Sequence, residues 1–270
     1  MRIEEIVRAC LIVSFLAASL TLLLQSALVA GLGGDVLGED SLTSVLTTNF
    51  GRWSAARIPV VLGLAVLLLG RVRSALTGET GPAWWGSCIV LSGAILIATS
   101  LSGHAAVTAP PWSVLNDVVH LASGSIWLAG VIALTAVLPY ASAPDTSLPL
   151  AASAVGRFAT VALFSIGLAA ITGTINSYLA LEGVSDLWRD GYGRTLLLKI
   201  VAFISILGLG SVSHFVVRNK LQRAVRDPSV DLAGREVTGL FRRTIALEVM
   251  VGIAVLALTG VLTGLDPPGS

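Results

Sequence analysis

The sequence predicts an all-α fold, a polytopic membrane bundle of about seven transmembrane helices, and three observations carry that prediction. Hydrophobic residues fill 54% of the 270 positions and charged residues only 12%, about half the charged share of an ordinary soluble domain. Mean hydropathy is +0.87. Several uninterrupted apolar runs reach the roughly 20 residues that a helix needs to cross the hydrocarbon core. Inside that core each backbone N–H and C=O must be satisfied within its own segment, which makes runs of this kind helices. The expected organisation is a single integral-membrane domain over 1–270, surrounded by membrane lipid.

The elements follow in order. The first span covers about 7–30. Its start, MRIEEIVRAC, could open a signal peptide, but the apolar stretch is too long for a typical h-region and no A-x-A pattern follows, so it is read as a retained helix. The loop GLGGDVLGEDSLTSVLTTNFGR comes next, with a short interfacial helix expected over 41–50. The second span, 55–70, is short and would gain length by starting at Trp53. The remaining five are expected at 83–103, 114–138, 155–178, 195–217 and 244–264. Breakers separate them: Gly78, Gly81 and Pro82; Pro110 and Pro111; Pro139, Pro144 and Pro149; Gly191 and Gly193.

Lysine and arginine set the expected orientation. The segment after the sixth span, RNKLQRAVRDPSVDLAGREVTGLFRR, is strongly basic and is therefore placed in the cytoplasm. Alternation then puts the N-terminus inside and the C-terminus outside. Twelve of the 17 Lys and Arg fall on the cytoplasmic side; Arg52, Arg57, Arg189, Arg194 and Lys199 fall outside. The basic loop thus orients the chain, and nucleic-acid binding is not expected.

An internal echo is visible. FGRWSAARI at 50–58 and YGRTLLLKI at 192–200 align at an offset of 142, matching Gly51 with Gly193, Arg52 with Arg194 and Arg57 with Lys199. Both copies lead into a helix running the same way, so the expected repeat is parallel.

The rare chemistry concentrates between Ser102 and Leu138. His104 ends the third span, while Asp117 and His120 enter the fourth from the same side. An ionisable residue in a span is costly and marks a functional site. Asp117 and His120 are three apart and share a helix face, continued by Gly124 and Trp127. Two imidazoles and a carboxylate suit a borderline divalent metal such as copper or zinc. The same spacing also allows Asp117 to orient His120 from behind, or His120 to bond a neighbouring helix.

Lys199, His214 and Glu248 are candidates for an ion path or exit. Each has a plainer role too: headgroup contact for Lys199 and Arg57, an interfacial position for His214, and pairing of Glu248 with Arg157, Arg242 or Arg243. Trp84, Trp85 and Trp112 are expected as interfacial anchors, and the small-residue runs at 122–130 and 169–173 as packing faces. Cys10 and Cys88 stand alone, without a CxxC, which removes disulfide and zinc-finger readings.

GHA at 103–105, NDVVHLASGSIWLAG at 116–130, RFATVALFSIGLAAITGTINSYL at 157–179, DLWRDGYGRTLLLK at 186–199 and RRTIALEVMVGIAVLALTGVLTGLDPP at 242–268 together resemble the copper-resistance protein D (CopD) family. The likeness covers 83–268, with a less typical helix pair over 1–82. It implies a multi-pass protein of the bacterial plasma membrane, engaged in copper uptake beside a small extracytoplasmic copper-binding partner of the CopC type. It also implies His104, Asp117 and His120 as copper-interacting residues, and marks Tyr192, Gly193, Arg194, Lys199 and Glu248 as pattern positions. No CopC-like domain is fused, so that partner is expected as a separate chain. Met1 and Met250 are the two methionines, too few for a thioether path for Cu(I), which favours nitrogen and oxygen ligands suited to Cu(II).

The expected function is that of a copper-binding membrane protein moving copper ions from the extracytoplasmic side into the cytoplasm. Two alternatives stand beside it: a haem-binding electron-transfer protein using two histidines on adjacent helices, and a non-transporting factor that delivers copper to an oxidase. No nucleophile–base pair or cofactor loop stands out, so an enzyme is not expected.

Overall fold

The computed structural model describes residues 3–31, 34–103, 110–137, 147–212, 231–265 and 267–268. Among them the helices are α1 (Ile3–Ala30), α2 (Glu39–Thr47), α3 (Asn49–Leu69), α4 (Val72–Leu76), α5 (Pro82–Leu101), α6 (Trp112–Val137), α7 (Ser147–Ala180), α8 (Asp186–Arg189), α9 (Gly191–Val212) and α10 (Asp231–Leu262). Seven of these, α1, α3, α5, α6, α7, α9 and α10, are long and apolar enough to cross a membrane. The all-α bundle expected from composition is therefore what the chain forms. Leu28, Val66, Ile89, Leu163 and Phe164 stand exposed on the spans, as side chains facing lipid would.

The chain divides into two compact units, residues 1–118 and 119–270, with the boundary inside α6. In the first unit α1 packs on α2 and α3, and α3 packs on α5. Gly31 closes α1 at φ +72, the left-handed conformation that glycine adopts without a Cβ penalty. Polar side chains tie α1 to the segment after it and α3 to α5. The Ser26 hydroxyl donates to Val36 O at 2.6 Å, and the Asn49 amide donates to Leu101 O at 2.7 Å. Trp84 departs from the expected interfacial role: it is buried, and its indole N–H donates to Leu67 O at 3.2 Å. Trp85 and Trp112 are exposed, as anchors would be. Arg57 is half-buried between α3 and α5, where Nη1 donates to Thr99 Oγ1 at 3.4 Å and Nη2 to Ser54 Oγ at 3.3 Å.

In the second unit the core gathers Trp127, Val131 and Leu134 of α6, Val155 of α7, Ile206 of α9 and Ile245 of α10. Glycines let these helices close up. A Cβ on Gly130 would overlap the Phe158 ring, and one on Gly252 would sit 2.8 Å from Leu128 Cδ1. Such contacts matter more in lipid than in water, because helix association there depends on close packing rather than on hydrophobic transfer.

The internal echo has a structural cause. In each unit a short helix, α2 or α8, leads into a long one, α3 or α9, and lies directly over its glycine. A Cβ on Gly51 would collide with the Val45 backbone, and one on Gly193 with the backbone of Asp186 and Leu187. The residue three positions earlier caps the new helix both times. Thr48 Oγ1 accepts from Gly51 N at 2.9 Å, and Asp190 Oδ1 accepts from Gly193 N at 2.7 Å. Thr48 and Asp190 are themselves 142 residues apart. The second span consequently begins at Asn49, earlier than its hydropathy indicates.

Candidate metal centre

His120 lies eight residues after Trp112, the start of α6, and Thr172 lies eight residues before Ala180, the end of α7. At about 1.5 Å per residue, both are roughly 12 Å from those helix ends. The His120 Nδ1–H donates to Ala169 O at 3.1 Å and to Thr172 Oγ1 at 3.1 Å. The carbonyl can only accept, so Nδ1 carries the hydrogen, and the neutral ring then has its lone pair on Nε2. Gly173 makes room for the ring: a Cβ there would stand 2.9 Å from His120 Cε1 and 3.4 Å from Nδ1.

The run 169–173 was expected as a packing face. It is that, and it is also the receptacle of the histidine. Composition hides the second role, because four of its five residues (AAITG) offer no side-chain polar group. The one visible signal is Thr172, a hydroxyl in the middle of an otherwise apolar, small-residue stretch.

Asp117 is half-buried one turn before His120 on α6, and Trp127 continues the same face into the core. His104 and His214 lie outside the described residues. Among the described residues no group of three His, Cys, Asp or Glu side chains is placed to hold a metal ion. Lys199 is half-buried on α9, and Glu248 is buried on α10 at 5% exposure. Glu248 stands little more than one turn inside the Arg243–Leu262 span, where an ionisable side chain is rare and marks a functional or structural role.

An apolar groove of about 500 Å³ runs along α6 and α7 beside this stretch, lined by Val119, Ser123 and Ile126 on one wall and Leu163, Ser165 and Leu168 on the other. It has no titratable lining group.

Copper resistance protein D, as a family model, matches residues 152–262, and the model of the copper resistance protein D-like N-terminal domain matches residues 1–112. The chain belongs to the copper resistance protein D family. The likeness thus extends over the first helices as well as the later ones. Across 187 residues the chain is 32% identical to the copper transport protein CutJ of Bacillus subtilis (strain 168), an alignment that covers 68% of this chain and 31% of CutJ. Across 230 residues it is 26% identical to copper resistance protein D of Pseudomonas syringae pv. tomato, covering 83% of this chain and 70% of that protein. The chain therefore spans about a third of the length of CutJ. No solved structure matches it. As a copper resistance protein D family member with seven apolar helices, it is a copper-related, multi-pass bacterial membrane protein.

Proposed function

We propose that this chain binds copper at the level of His120 and passes it from the extracytoplasmic side into the cytoplasm. His120 ligates through Nε2, Asp117 adds negative charge one turn away, and His104 supplies a second imidazole. The observation that supports this most is the anchoring of His120 Nδ1 by Ala169 and Thr172. Metal-ligating histidines typically hold one ring nitrogen to a carbonyl or carboxylate and present the other to the ion. The names of the two relatives, copper transport and copper resistance, point the same way. With two methionines in the sequence, a nitrogen and oxygen ligand set is favoured over a thioether one. Glu248 and His214 serve on the way out, and a separate extracytoplasmic copper-binding protein delivers the ion.

Copper titration of the purified protein in lipid nanodiscs tests the site. His104→Ala/His120→Ala is expected to abolish the high-affinity equivalent, and unchanged stoichiometry and affinity would defeat the assignment. Copper accumulation in cells with and without the chain separates transport from delivery to an oxidase. A Soret band on the purified protein would instead favour haem ligation.

A further inference from the structure

We infer that Thr172 is a positioning residue which, with the Ala169 carbonyl, selects Nε2 of His120 as the atom that meets the ion. This rests on the copper-binding reading above. The argument begins with what each partner of Nδ1 can offer. Ala169 O has lone pairs alone. The Thr172 hydroxyl directs its proton to Leu168 O at 2.7 Å, with Ala169 O a longer second acceptor at 3.4 Å, so it too turns a lone pair toward the ring. A nitrogen 3.1 Å from both oxygens must bring the hydrogen. The opposite tautomer would turn the Nδ1 lone pair against oxygen lone pairs, an unfavourable arrangement for a half-buried ring nitrogen in a span where water is scarce.

The same contacts fix the ring's rotation. A flip of the imidazole plane would put the Cδ2 carbon where Nδ1 stands and lose both bonds. The ring edge carrying Cε1 lies over Gly173, within 2.9 Å of where a Cβ would be, so the close fit holds the plane of the ring and the two bonds decide which way round it sits. Thr172 therefore adds a second acceptor that reinforces the tautomer and rotamer favoured by Ala169 O. Neither property follows from the residue's bulk, which valine would nearly reproduce.

The experiment reads the tautomer without metal and the affinity with it. Nitrogen NMR of the copper-free chain, labelled with ¹⁵N-histidine and held in nanodiscs, is recorded for wild type, Thr172→Val and Thr172→Ser, with His120→Gln to assign the His120 signals. Wild type and Thr172→Ser are expected to show one tautomer, with hydrogen on Nδ1. Thr172→Val is expected to show a mixture and to bind copper roughly tenfold or more weakly, the range seen when such supporting contacts are lost. A Thr172→Val spectrum identical to wild type overturns the proposal even if affinity falls, because the threonine would then act through packing. Wild-type hydrogen on Nε2 overturns it as well. If the tautomer responds as expected but His120 contributes nothing to copper binding, the copper reading falls and the control of the ring by Thr172 stands.

Discussion

Gly173→Ala puts a methyl group against the histidine ring, and its effect can be worked from the distances. The new Cβ would lie 2.9 Å from His120 Cε1, whereas non-bonded carbons settle at roughly 3.5–4.0 Å. The ring must withdraw by about 0.6–1 Å. Its Nδ1 bonds start at 3.1 Å, so retreat carries them beyond the distance at which a contact still counts as a hydrogen bond. Losing both costs about 1–3 kcal/mol at a net 0.5–1.5 kcal/mol each. Alanine regains about 1 kcal/mol of helix propensity over glycine, so the fold should lose little. The ion-binding geometry should lose much more, and copper affinity is expected to drop about 10- to 100-fold. Competition titration against a copper chelator in nanodiscs measures that drop, with thermal unfolding as the stability control. In a His120→Ala background the glycine substitution should have no further effect on copper, since the two act through one contact. Wild-type affinity in Gly173→Ala would refute the reasoning, because the ring would then tolerate displacement.

Other expectations concern the scaffold. Gly51→Ala and Gly193→Ala each force a side chain into a backbone, and each should destabilise by about 1–3 kcal/mol as overpacking does, read as a lower thermal midpoint in detergent. Thr48→Ala and Asp190→Ala remove the paired caps and should each cost about 1 kcal/mol in the same assay. Orientation is checked with a reporter fused after the last helix: a periplasm-active reporter should work there and a cytoplasm-active one should not, and the reverse would undo the inward direction of transport proposed here.

The spans were legible in the sequence because lipid imposes a length and a polarity on every helix that crosses it. Their ends were less so. Hydropathy places the start of the second span near residue 55, since Arg52 and Arg57 dilute the apolar signal, yet the backbone turns helical at Asn49, where Thr48 caps it. Likewise α10 begins at Asp231, well before its apolar part, because a helix does not stop where its hydrophobicity does. His120 and Asp117 stood out as costly groups in apolar surroundings. Their supports did not: Ala169 acts through a main-chain carbonyl, and its pairing with a residue 49 positions away leaves no trace in spacing. Trp84 carries the same lesson, since nothing in its neighbourhood distinguishes an indole tied to Leu67 O from one resting in headgroups.

The two helix lead-ins bear on how the protein is made. Each closes over a few residues, Val45 to Gly51 and Asp186 to Gly193, and short closures carry little entropic penalty. Contacts this local form early, while synthesis proceeds at only about 5–20 residues per second. The turn into α3 can thus close before α5 has been translated, and that into α9 before α10. Each unit of the protein thus carries a local start of its own, independent of the spans that follow it.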